Sequence, residues 1–155
     1  GQGFAVSVGM AMASRMDGKK SRTYVLLGDG ELQEGLIWEA AMAASHYKLD
    51  NLCAIVDWNG LQIDGKNDDV MTVKPIDEKF KAFGFNVLVI DGHNFEEIFA
   101  AFDAARECKE KPTAIVAKTN KGRGVSFMED NPGWHGKAPG EDEARQAVSE
   151  LGGEW

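Results

Sequence analysis

Tyr24-Val25-Leu26-Leu27-Gly28-Asp29-Gly30-Glu31 and, about 30 residues later, Val56-Asp57-Trp58-Asn59-Gly60 decide the reading of the chain. Each stretch is an apolar run that stops at a turn. The first stops at Gly-Asp-Gly, the second at Asn59. A strand that ends in Gly-Asp-Gly lets bare backbone approach a phosphate, because neither glycine carries a Cβ. A helix starting there adds free N–H groups and a positive dipole end. Asp29 and Asn59 both offer oxygen, and Mg²⁺ takes a few hard oxygen ligands beside a phosphate. Two parallel strands joined by a helical crossover need roughly 30 residues, which matches the spacing of the two stretches. Both oxygen donors then stand at carboxyl ends of strands, where open α/β sheets bind ligands. Gly-Asp-Gly alone reads better as a helix-capping turn; the second run ending at Asn59 tips the balance to a metal and phosphate site.

The remaining pattern supports that geometry. Helices are expected over 3–16, 33–47, 76–83, 95–109 and 141–151, with strands over 23–27, 52–56, 85–90 and 113–117. This alternation predicts a parallel sheet with helices on both faces, within one domain spanning 1–155. The unbroken apolar run 23–27 is expected to be buried on both faces. The first helix carries Met10, Met12 and Met16 among small residues. It is read as a helix buried on most sides, its methionines packing the core. In the helix over 95–109, Ile98, Phe99 and Phe102 are expected to point inward, with Asn94 as N-cap. Segment 58–69 and the Gly-rich segment 118–140 read as functional loops. Gly28, Asn59, His93 and Lys118 all fall at strand ends, so their loops gather at one cleft.

Composition limits the function. The chain has 155 residues, 43% hydrophobic, with 18 glycines and a net charge of −8. A surface this acidic argues against nucleic acid or anionic membrane as a partner. No signal peptide or membrane-spanning run is present. Cys53 and Cys108 fit no metal or redox spacing and read as idle thiols of a cytoplasmic protein. A P-loop would need Gly-Lys-Ser/Thr, which is absent. Lys118, Lys121 and Arg123 form a basic cluster that either steers phosphate-bearing ligands or solvates a loop. His46 reads as the end of a helix and His93 as a turn residue; neither is given a catalytic role.

Gly28-Asp29-Gly30 followed by Asn59 resembles the signature of thiamine diphosphate enzymes. Glu31-Leu32-Gln33-Glu34-Gly35, Asn59-Gly60-Leu61-Gln62-Ile63-Asp64-Gly65, Gly122-Arg123-Gly124-Val125 and Trp134-His135-Gly136 narrow the likeness. Together, over nearly the whole chain, they resemble the N-terminal, diphosphate-binding section of transketolase, most of all its split-subunit form. The resemblance implies thiamine diphosphate and Mg²⁺ as cofactors. It implies Asp29, Asn59 and the Leu61 backbone carbonyl as metal ligands, with Gly28 and Gly30 in close backbone contact with the cofactor. The matching His135 would contact the diphosphate and the reacting carbons, and Glu34 would join a carboxylate network across a dimer.

The implied activity is transfer of a two-carbon ketol unit from a ketose phosphate to an aldose phosphate. The implied partner is a C-terminal section or subunit carrying the pyrimidine-binding domain, in a homo-oligomer or heterotetramer. No residue here matches the family's activating Glu. The chain opens at Gly1-Gln2-Gly3 without Met, so an N-terminally incomplete fragment with little activity of its own is expected. Three alternatives stay open. One is 1-deoxyxylulose-5-phosphate synthase, against which Leu32-Gln33-Glu34-Gly35 weighs. The others are a thiamine-dependent 2-oxo acid dehydrogenase component and a non-catalytic assembly subunit that keeps the fold.

Overall fold

Short apolar strands separated by helices cannot pair as hairpins, so their backbone groups are satisfied by lying parallel. The computed structural model, which describes residues 1–155, has this arrangement. In chain order the elements are α1 (Gln2–Met16), β1 (Thr23–Gly28), α2 (Gly35–His46) and β2 (Leu52–Trp58). A small hairpin, β3 (Leu61–Gln62) and β4 (Gly65–Lys66), is followed by α3 (Asn67–Val70) and α4 (Ile76–Ala82). Then come β5 (Asn86–Asp91), α5 (Phe95–Glu107), β6 (Thr113–Lys118) and α6 (Glu141–Glu150). The main sheet is parallel throughout, in the order β1-β2-β6-β5. Leu27 lies opposite Val56, and Val56 opposite Val116, so the strand ends come level at one edge.

The two faces are covered unequally. On one, α1, α2 and α4 press a large cluster onto the sheet, including Phe4, Leu27, Ile37, Val56, Phe80 and Val116. Phe80 is fully buried and its ring meets those of Trp38 and Phe85. On the other face α5 buries Cys53 and Ile115 with its own Ala101 and Ala105, and leaves Ile55, Leu88 and Ile90 partly covered. Burial pushes the Cys53 thiol up to about 11, which keeps it protonated and inert. Asn94 caps α5, its side chain accepting from the Glu96 N–H (3.0 Å) and the Glu97 N–H. Such a cap is worth about 1 kcal/mol.

Several expectations need correction. β1 is an edge strand that α5 touches only near its start, where the Phe102 ring meets Tyr24 at 5.6 Å, so Leu26 is 70% exposed and its run is buried on one face only. α1 buries a single stripe (Phe4, Val8, Ala11) and leaves Met10 and Met16 in the open, so those two methionines do not pack the core. Phe99 is 66% exposed, because the small residues Ala101 and Ala105 let α5 settle on the sheet along a different stripe. Segment 58–69 is not wholly irregular; it folds into the β3–β4 hairpin and the start of α3. The second helix begins at Gly35 rather than Gln33, after a 3₁₀ turn over Gly30–Gln33.

Phe80→Ala is expected to cost about 3–5 kcal/mol of unfolding free energy, the usual penalty for emptying a buried aromatic site. Phe99→Ala should cost less than about 0.5 kcal/mol, as surface changes do. Urea titrations measure both: the Phe99 result checks the assignment of the α5 stripe, with Phe80 of α4 as the buried reference.

Candidate functional site

The level strand ends bring the two quoted stretches together. Asp29 follows β1 directly, and its N–H donates to the Asp57 carbonyl in the neighbouring strand (3.2 Å). The residue is 1% exposed. One carboxylate oxygen accepts from the Gly30 N–H (2.8 Å), the other from the Gly60 N–H (2.6 Å). Gly60 reaches it from a turn at φ +77°, which a side chain would disfavour. Burial raises the Asp29 carboxyl above its ordinary value. The Gly60 N–H, the neighbouring Asn67 carboxamide and the Gly30 N–H pull it back, and the nearby Asp57 charge adds a smaller upward push.

Asn59 closes an Asx turn, its Oδ1 accepting from the Leu61 N–H (2.9 Å). Its Nδ2 donates to the Asp57 carboxylate (3.1 Å). The turn leads into the hairpin, which folds back over the first glycine-bearing turn. A Cβ at Gly30 would come within 3.1 Å of the Gln62 Cβ, so packing alone already crowds any side chain there. A Cβ at Gly28 would meet no protein atom within 4 Å. Packing therefore does not explain Gly28, and its bare backbone faces the cleft. Near Gly30, the buried Gln62 Nε2 has no hydrogen-bond partner.

The far wall is the segment after β6. Lys121 and His135 line the same cleft of about 540 Å³ as Gly28, Asp29, Asn59 and Leu61. The turn before His135 is firmly held. The Trp134 indole N–H donates to the Phe127 carbonyl (2.9 Å), and the two rings lie 5.3 Å apart. Asn131 accepts from the Gly133 N–H (2.9 Å), and the Lys137 ammonium stands 4.0 Å over the Trp134 ring. Trp134 is thus the anchor, and His135, at the end of the turn, is exposed.

Of the sequence-derived candidates, Gly28, Asp29, Gly30, Asn59, Leu61, Glu34 and His135 all line this cleft. Glu34 lies at the start of α2 in extended conformation, its side chain more than half exposed, on the rim beside Glu31. Because a 3₁₀ turn intervenes, the N-terminus of α2 is not at Gly30, and its dipole does not act there as expected. The basic trio separates. Lys121 faces the cleft, Lys118 sits over the Trp58 ring at 5.4 Å, and Arg123 is exposed elsewhere. His46 ends α2 as expected. His93 lies in the turn after β5, where its Nε2 accepts from the Asn120 N–H (2.8 Å), which leaves Nδ1 to carry the ring proton. Asp57 and Gln62 are cleft residues the sequence reading passed over; a carboxylate inside the apolar run of β2 was the available signal for Asp57.

No group of three or more His, Cys, Asp or Glu side chains is placed to hold a metal by itself. Two oxygen donors at adjoining strand ends suit a hard cation that draws its other oxygens from phosphate and water. The unpartnered Gln62 donor, the bare Gly28 and the Lys121 side chain suit the accompanying anion.

The whole chain, residues 1–155, matches the family model described as transketolase, thiamine diphosphate binding domain. The chain belongs to this family. It is 45% identical over 151 residues to one of the subunits of the apulose-4-phosphate transketolase of Phocaeicola vulgatus, with 97% of this chain and 54% of that protein covered. It is 45% identical to human transketolase over 155 residues, 97% of this chain and 24% of that protein. A crystal structure of Campylobacter jejuni transketolase superposes with a TM-score of 0.93 at 36% identity, covering 99% of this chain and 25% of that one. The chain therefore spans about half the length of the first of these relatives and about a quarter of the other two. The transketolase-type thiamine diphosphate-binding fold expected from the sequence is the one observed.

Gly28→Ala is expected to leave the melting temperature of the ligand-free protein within about 2 °C, since the added methyl meets open space. The same change should weaken thiamine diphosphate binding at least tenfold, about 1.4 kcal/mol. Calorimetry beside a thermal melt separates the two effects.

Proposed function

We propose that this chain is the diphosphate- and metal-binding half of a transketolase. It would transfer a two-carbon ketol unit from a ketose phosphate to an aldose phosphate. The observation that carries the proposal is the meeting of Asp29 and Asn59 with Lys121 and His135 across one cleft, in a chain matched end to end by the thiamine diphosphate-binding family. In this reading 1–155 is one cofactor-binding domain, and a second section or subunit supplies the pyrimidine-binding domain and the activating acid. A homo-oligomer or heterotetramer in the cytoplasm follows from the same reading. No helix is long and apolar enough to cross a membrane.

The residues divide the work. The Asp29 carboxylate, the Asn59 Oδ1 and the Leu61 carbonyl hold Mg²⁺. Gly28 and Gly30 let the backbone approach the diphosphate, and Lys121 balances its charge. Thiamine diphosphate supplies, when bound, the carbon centre that accepts and releases the two-carbon unit. An imidazole can take up or release a proton near neutral pH. That of His135 holds or moves a proton at the hydroxyl oxygens of the sugar. The hydrogen bond and ring packing of Trp134 fix where that imidazole can reach. Glu34, on the rim, is placed to meet a carboxylate of a second copy.

Two experiments test this reading in the assembled enzyme. Asp29→Ala should abolish Mg²⁺-dependent binding of thiamine diphosphate in titration calorimetry; an unchanged affinity removes Asp29 from the metal site. His135→Ala, with cofactor saturating, should lower the ketol-transfer rate by about 10²–10⁴-fold, the usual worth of general acid–base help. Its effect on cofactor affinity should be much smaller, because a proton-moving group acts mainly in the transition state. A rate within about twofold of wild type would make the histidine a bystander. Release of carbon dioxide from pyruvate and glyceraldehyde 3-phosphate would point to the synthase instead.

A further inference from the structure

Asn59 carries one oxygen and one nitrogen on the same planar group, and only the oxygen can bind Mg²⁺. Nothing within an isolated Asn decides which end faces the metal. Asp57 does. Its carboxylate lies two residues earlier, at the end of β2, and can only accept hydrogen bonds. One of its oxygens takes the Asn59 Nδ2 at 3.1 Å. The other takes the Thr119 hydroxyl. The Leu61 N–H then meets the opposite end of the Asn59 amide, at Oδ1 (2.9 Å). Both ends of the carboxamide are thus specified, nitrogen by an acceptor and oxygen by a donor. A second lone pair of Oδ1 stays free.

Thr119 extends the arrangement. It is the first residue after β6, and its N–H donates to the Trp58 carbonyl (3.1 Å). Lys121 follows two residues later, so the segment that forms the far wall begins at the group that grips Asp57. Asp57 itself is half-buried and lines the cleft.

We infer that Asp57 is the positioning residue of the metal site: it fixes the Asn59 carboxamide with its oxygen toward the cation, and through Thr119 it holds the start of the Lys121 wall in register. The inference rests on the reading of Asn59 as a Mg²⁺ ligand.

The test is the Mg²⁺ dependence of thiamine diphosphate binding by calorimetry in the assembled enzyme, with the ligand-free melting temperature measured beside it. Asp57→Leu removes both acceptors and should weaken Mg²⁺ by about 10–100-fold, the usual cost of losing a partner that orients a ligand. Asp57→Asn keeps an oxygen for the Asn59 Nδ2 and an N–H for the Thr119 hydroxyl while removing the charge. It should hold Mg²⁺ within about threefold of wild type. Equal losses in the two variants would mean that Asp57 acts by its charge, and would overturn the inference. So would an Asp57→Leu protein that binds Mg²⁺ like wild type. If Asp57→Leu fails to fold, Asp57→Ala carries the same expectation without added volume. Asn59→Ala is the control for the underlying reading. If it leaves Mg²⁺ binding unchanged, Asn59 is no ligand, and both that reading and this inference fail. If it weakens binding while Asp57→Leu does not, only the inference fails.

Discussion

A carboxylate sealed from water holds the carboxyl edge of the sheet together. Asp29 stands at the end of one strand, and the Gly60 N–H that reaches it at 2.6 Å comes from the turn after the next. A buried charge is costly unless it is well hydrogen-bonded. The requirement to satisfy Asp29 therefore dictates the path of the chain after Trp58. That path needs Gly60 at positive φ, then the Asx turn of Asn59, then a hairpin short enough to fold back over Gly30. Residual desolvation keeps the Asp29 carboxyl raised, and a cation would relieve it. The same interaction thus shapes the turn and leaves it tuned for positive charge.

The cleft draws its sign from this arrangement. Asp29, Asp57, Glu31 and Glu34 gather on one side, with Lys121 on the other. An acidic wall would repel a diphosphate unless a divalent ion lay between them. The acidity of the protein as a whole is therefore compatible with a phosphate-bearing ligand, provided the metal comes with it.

The order of strands and helices was legible because each apolar run is bounded by turn residues, and the shortness of the strand runs separates them from the longer, periodic helices. Asp29 and Asn59 were legible because polar residues closing apolar runs are few. What the sequence withheld concerns sheet order and helix rotation. Sequence position does not reveal that β1 is an edge strand, so the exposure of Leu26 was hidden. The roll of α5 is decided by how closely Ala101 and Ala105 approach the sheet, not by its bulkiest residues, so Phe99 was misplaced. Asp57 escaped notice because its role lies in a partner two residues away and another far along the chain, just past the end of β6. The separation of Lys121 from Lys118 and Arg123 depends on the course of an irregular loop, which has no periodicity to read.

The wall that carries His135 is fastened by bonds of its own. Phe127 receives the Trp134 indole N–H, and Glu150 of α6 accepts from both the N–H and the hydroxyl of Ser126 (2.6 and 2.8 Å). None of these contacts passes through Asp29 or Asn59. Exposed loop residues that face the cleft can thus change while the anchorage of the loop and of the Asp29 turn stays intact. The cleft is divided into a half bound by its buried charge and a half whose exposed side chains carry little of the fold's stability. A lineage built on this chain could reshape the exposed face of that wall without rebuilding the turns that carry Asp29 and Asn59.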